Sequence, residues 1–190
     1  MDSRMSTRLY TIGHSRHSTE QLLSMLRAYK VTRLVDVRRI PFSRLNPQFN
    51  CDRLADDLAQ HQISYQHLED LGGLRDPTGM DETRNTAWRN QFLRSYANHA
   101  QTRSFQDALC KLCQAAMDEI CTIMCAEADW RQCHRQIIAD YLILRDFELL
   151  HILSDCSVEE GRLTPHASVD ADGTLIYSKL SEQQLPLDLF

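Results

Sequence analysis

Apolar residues fall into short β-prone runs that alternate with stripes at helical spacing. Leu9-Tyr-Thr-Ile-Gly-His14 is the first run, stopped by Gly13. Ser18 or Thr19 caps a helix reaching Lys30, with Leu22, Leu23, Leu26 and Tyr29 at helical spacing. Arg33-Leu-Val-Asp-Val-Arg38 reads as a second strand, ended by Pro41. Cys51 to His61 reads as a helix with Leu54, Ala55 and Leu58 on one face. Ile63 to Leu68 makes a third strand running into Gly72-Gly73, and a polar loop from Arg75 to Arg84 has no periodicity. Helices at about 86–99 and 102–118 follow. A strand from Cys121 to Met124 then leads to a helix whose first turns carry Cys133, His134 and Arg135. Glu148 to Leu153 is a fifth strand.

Strands alternating with helices imply an α/β fold, a mostly parallel sheet with helices on both faces. In such a sheet ligands bind outside the carboxyl ends of the strands. That topology places Gly13-His14-Ser15, the Asp36–Arg44 segment, Leu71-Gly72-Gly73 and Cys125–Arg135 on one rim. Beyond Arg162, Val169-Asp-Ala-Asp-Gly-Thr174 reads as a tight hairpin turn. The expected organisation is one domain over 1–180 and an extended tail over 181–190.

Composition narrows the function classes. The net charge of −5 argues against a protein held on nucleic acid by charge alone. No apolar run approaches the ~18 residues of a membrane span, and no secretion signal opens the chain, so a cytoplasmic protein without membrane contact is expected. Seven cysteines in such a chain are expected to be reduced thiols.

Four motifs coincide in order: Tyr10-Thr-Ile-Gly-His-Ser15, Leu34-Val-Asp-Val-Arg38 with Pro41 and Ser43, Leu71-Gly-Gly73, and Cys125-x-Glu127 with Cys133-His-Arg135. As a set they resemble the bacterial family called domain of unknown function 488, over about residues 9 to 178. The resemblance implies an α/β domain with these motifs around a common pocket and names no reaction. The Leu34–Arg38 strand and the cysteine after a later strand also look like rhodanese domains, a fold-level analogy.

The rim residues set out the candidate chemistry. Cys125 follows an apolar strand and precedes a helix, where the helix dipole and Arg131, Arg135 or His134 would lower its pKa and make it a nucleophile. Against this stand nearby Glu127 and the lack of any glycine between Cys125 and Arg135 to form a backbone cradle. The types Cys125, Glu127, Cys133 and His134 suit zinc, but their spacing matches no common zinc arrangement. Cys133 also shares a helical face with Ile137, Tyr141 and Leu144, so it is assigned to packing; no metal or cofactor is assigned. Cys110 and Cys113 lie on the stripe of a helix and are expected in the core.

Asp129 is expected to cap the late helix with Gln132 in capping-box spacing, leaving Arg131 and Arg135 in a first turn that disfavours cations. Asp36 and Arg38 should reach the rim, since an unpaired charge is costly inside a covered sheet. The expected anion-binding set is Gly13, His14, Ser15, Arg38, Arg39, Ser43, Arg44, Gly72, Gly73 and Arg135. Glu127, Cys125, His134 and Asp36 are the candidates for catalysis.

The last residues, Gln184-Leu-Pro-Leu-Asp-Leu-Phe190, form a separate signal. Leu185, Leu187, Leu189 and Phe190 are spaced apolar side chains on a chain that Pro186 keeps extended. Together with Gln184 they resemble the peptide by which bacterial polymerases and repair proteins dock on the DNA sliding clamp. The resulting expectation is a hydrolase or transferase acting on an anionic substrate, a nucleotide or nucleic-acid end, brought to replication or repair sites by its tail. A ligand-binding adaptor and a sulfur transferase using Cys125 are the rivals.

Overall fold

The computed structural model describes residues 7–79 and 81–178; the tail from Gln184 to Phe190 lies outside them. A six-stranded sheet has the order β3-β2-β4-β1-β5-β6. Its strands are β1 (Arg8–Gly13), β2 (Arg33–Asp36), β3 (Ser64–His67), β4 (Cys121–Cys125), β5 (Glu148–Ser154) and β6 (Ser157–Glu160). The first five run parallel, as the alternation predicts, and β6 pairs antiparallel with β5. The polar run Ser157-Val-Glu-Glu160 carries no strand signal; it forms an edge by hairpin return from β5.

Helices α1 (Thr19–Ala28) and α2 (Cys51–Ala59) cover one face, and α3 (Gln91–Ala100), α4 (Arg103–Asp118) and α5 (Arg135–Ile143) cover the other. Strand pleating divides the core accordingly. Ile123 and Cys125 of β4 point to the α3–α5 side, and Met124 points to the α1–α2 side. Ser18 caps α1 in a capping box with Gln21. The predicted helix at 86–99 starts later, at Gln91. Asn85 takes a left-handed conformation (φ 54°), and Asn90 caps α3 through the backbone N–H groups of Phe92 and Leu93. Cys113 is half-buried but Cys110 is exposed, so only one of that pair packs as expected.

The expected hairpin is present as β7 (Ala167–Val169) and β8 (Leu175–Tyr177), with Gly173 at φ 83° in the turn. It packs on α3 and α5: Tyr141 accepts from the Leu175 backbone, and Tyr177 donates to Asp140. Burial holds the Asp140 carboxyl up at about 6. Among the described residues no helix is long and apolar enough to cross a membrane.

Candidate functional site

β4 occupies the middle of the sheet, and its end is where the candidate residues gather. Gly13 is in register with Cys125, and Asp36 with Met124. The backbone N–H of His14 donates to the Cys125 carbonyl, that of Ser15 to Ala126, and that of Val37 to Met124. Gly13 has a steric role there, because a Cβ would stand 1.9 Å from the Glu127 carbonyl oxygen. The chain after β4 thus lies directly against the end of β1.

That chain does not enter α5 as the capping pattern predicts. The Asp129 carboxylate accepts from the Arg131 N–H and caps a single 3-10 turn, Trp130–Gln132. Cys133 is then extended, and α5 begins only at Arg135. The detour returns Cys133 and His134 to Cys125. Cys125 Sγ lies 2.6 Å from Glu127 Oε2 and 3.8 Å from His134 Nδ1. Cys133 Sγ lies 3.4 Å from the same carboxylate oxygen and 3.5 Å from His134 Nδ1. Cys133 packs in the core, as its apolar spacing predicts, and its thiol also lines the site. It does both from a position just before the helix.

These four groups line a cavity of about 180 Å³. Arg38, Arg39 and Gly73 form another wall, and Ile40, Leu74, Phe92 and Tyr96 supply an apolar rim. The volume suits the head of a small ligand; drug-sized molecules occupy roughly 300–1,000 Å³. Phe92, Leu93 and Tyr96 come from α3, some thirty residues before the motif, and no sequence signal pointed to them.

Electrostatics within the cluster are uneven. A hydrogen bond to Cys133, burial and the Glu127 charge push the Cys125 thiol well above its ordinary value. Burial acts the same way on Cys133, but hydrogen bonding from Cys125 and the charges of His134 and Arg135 outweigh it and hold that thiol low. The acid shift expected at Cys125 thus falls on Cys133. Burial lowers the His134 pKa, yet the Cys133 thiolate more than compensates and the net shift is upward. His134 Nε2 donates to the Val37 carbonyl at 2.8 Å, which leaves Nδ1 facing the thiols.

Other expected residues are not brought into the cavity. Asp36 is fully buried and accepts from Arg38 Nε at 2.9 Å, from the Arg38 backbone at 3.0 Å and from Tyr65 at 2.8 Å. Arg38 lines the cavity, but its guanidinium is engaged by Asp36 and by the Phe49 carbonyl at 2.7 Å. His14 is packed on Phe49, with Nδ1 at 3.0 Å from the Ser15 carbonyl and Nε2 facing Arg38. Burial, then Arg38, lowers it to about 4. Ser43 receives the backbone N–H groups of Leu45 and Asn46, and Arg44 is exposed away from the cavity.

Gly72 packs against the Arg39 backbone. Gly73 faces the site, where a Cβ would come 2.6 Å from His134 Nδ1. Arg135 is buried and donates to the Glu127 and Ala128 carbonyls and, from Nε, to Cys133 Sγ at 3.4 Å. The Glu127 and Ala128 carbonyls and the Cys133 thiol offset its place at a helix start. Arg39 is half-buried and, among the described residues, has no ion pair.

The fold and cavity define an open α/β protein with a cluster of two thiols, a carboxylate and an imidazole at the carboxyl end of its central strand. The family model described as Domain of unknown function DUF488 matches residues 18–142, and the chain belongs to that family. The match is narrower than the 9–178 of the sequence motifs, leaving Gly13–Ser15 and the hairpin outside it. Comparison with curated proteins and with solved structures gives no match.

Proposed function

We propose that this cavity is the active site of a hydrolase or transferase acting on an anionic substrate, a nucleotide or a nucleic-acid end. The observation that carries the reading is the meeting of Glu127, Cys125, Cys133 and His134 in one cavity with Arg39, which has no ion pair among the described residues. Arg39 meets the anion, since a guanidinium offers a phosphate or carboxylate two parallel donors. Glu127, exposed and at the mouth of the cluster, moves the proton. Ile40, Leu74 and Phe92 offer a flat apolar group, such as a base, a surface to stack on.

Sulfur transfer fits less well. A persulfide on Cys125 would face the Glu127 carboxylate and the Cys133 thiol, where a rhodanese-like site presents backbone N–H donors.

Turnover of a panel of nucleotides and 5′- and 3′-phosphorylated oligonucleotides tests the reading. Glu127→Gln is expected to lower kcat by about 10²–10⁴-fold with KM nearly unchanged. Full activity in that variant would remove Glu127 from the mechanism. Ligand binding without turnover of any panel member would favour the adaptor.

The tail from Gln184 to Phe190 serves, in this reading, to bring the enzyme to the bacterial sliding clamp. Removing residues 184–190 is expected to abolish clamp binding by the otherwise intact chain. Unchanged binding, or none by the intact chain, ends that part of the proposal.

A further inference from the structure

Among the described residues, one ligand atom each from Cys125, Glu127, Cys133 and His134 lie within 4.8 Å of one another. A zinc tetrahedron with Zn–S near 2.3 Å and Zn–N near 2.0 Å has edges of roughly 3.5–3.8 Å. Cys133 Sγ to His134 Nδ1 is 3.5 Å, and Cys125 Sγ to His134 Nδ1 is 3.8 Å. The spacing in sequence is irregular only because the chain from Ala126 to Gln132 detours through a 3-10 turn before returning.

The surroundings are those of a ligand shell. His134 donates its other ring nitrogen to the Val37 carbonyl at 2.8 Å, which fixes the ring and directs the Nδ1 lone pair at the sulfurs. Arg135 Nε donates to Cys133 Sγ at 3.4 Å and offsets the negative charge of a thiolate-bound ion. Gly73 lets the neighbouring chain close over the imidazole, where a Cβ would strike Nδ1 at 2.6 Å. The cluster opens on the cavity and so has an entry path. Two sulfurs and an imidazole suit zinc, and three protein ligands leave a fourth position open, as in catalytic sites.

We propose that Cys125, Cys133 and His134 bind a divalent zinc ion on the cavity wall, with Glu127 beside the open fourth position. The centre deepens the hydrolytic reading above and rests on it for its reaction. Were zinc bound, it would acidify water at the open position; Glu127 would take the proton as that water's oxygen attacks the electrophilic phosphorus or carbon of the substrate. The leaving group would depart with the electron pair of the broken bond and take the proton from Glu127.

The test uses the full chain purified from zinc-supplemented cells under reductant and passed through metal-free buffer. Elemental analysis is expected to give one zinc per chain. Cobalt substitution is expected to give the visible bands of a tetrahedral ion together with thiolate-to-cobalt charge transfer. Cys133→Ser is expected to lose both, whereas Cys110→Ser, on the exposed face of α4, keeps them. Gly73→Ala, acting through the ring of His134, is expected to weaken the metal by about 10–100-fold.

No charge-transfer band in the cobalt-titrated wild-type chain would overturn the proposal whatever the folding of the variants, as would a Cys125–Cys133 disulfide that persists with reductant and zinc present. Metal bound without turnover of any substrate sustains the centre and defeats the hydrolytic reading. Turnover that survives complete chelation, with no metal retained, sustains the hydrolytic reading and removes the metal from its chemistry.

Discussion

Asp36 shows how one residue can carry two meanings in a sequence and one in a structure. A carboxylate at the end of a covered strand suggested proton chemistry at a rim. Its oxygens are instead taken by Arg38 and Tyr65, at zero exposure. Removing one partner of a buried ion pair leaves the other uncompensated and costs about 3–5 kcal/mol. Asp36→Asn is therefore expected to lower unfolding free energy by about that amount in urea titrations. A variant of near-native stability that lost the proposed turnover would instead assign Asp36 to that chemistry. Arg135 makes the same point: its charge is spent on the carbonyls of Glu127 and Ala128, so it shapes the site without touching the cavity.

At the scale of elements, the site depends on how closely the chain after β4 lies on the end of β1. Gly13 permits this, since any Cβ would meet the Glu127 carbonyl at 1.9 Å and neither backbone can yield as a side chain would. Gly13→Ala is expected to displace residues 126–128, costing about 1–3 kcal/mol of stability. On the hydrolytic reading proposed above, turnover should fall by about 10²-fold through the misplacement of Glu127. Urea titration and steady-state kinetics on the variant measure the two effects. Native values for both would mean that the loop position is not critical. The alternation and capping signals made β1 to β5 and the existence of all five helices legible; the starts of α3 and α5 were not. Asp129 and Gln132 satisfy the capping pattern, but cap a 3-10 turn whose following residue is extended. Local pattern cannot tell one turn from the first of several.

Across the whole molecule, two buried histidines, His14 just past the end of β1 and His151 beside it on β5, are expected to make the fold sensitive to acid. Burial lowers His14 to about 4 and, with Arg135 and Arg131 nearby, His151 to about 3. A histidine depressed in the folded state contributes stability that is present above its unfolded pKa and is lost as pH falls below it. That unfolded value is about 6.5. Asp140, raised to about 6, works against this trend, because its folded form binds a proton more readily as pH falls toward the unfolded carboxyl range. His151→Asn keeps an acceptor for the Thr11 hydroxyl, now 2.7 Å from Nδ1, and removes one titrating group. The stability difference between wild type and variant is expected to shrink by about 1.4 kcal/mol per pH unit as pH falls from 6.5 toward 4. A difference that stays constant across that range would show that His151 does not titrate on unfolding.

By itself the sequence determined the α/β class, the parallel core of the sheet and the rim on which the motifs would meet. Those properties follow from periodicity, caps and connection handedness, all of which are local or topological. It also singled out the segment from Cys125 to Arg135 and its family. Which members of that segment face a cavity was decided by tertiary structure alone. Val37 orients His134 across 97 residues, the detour before α5 returns Cys133 to Cys125, and α3 closes the apolar rim. Buried pairing withdrew Asp36 and most of Arg38 from that cavity, because a charge inside a covered sheet must find its partner before it can serve a substrate.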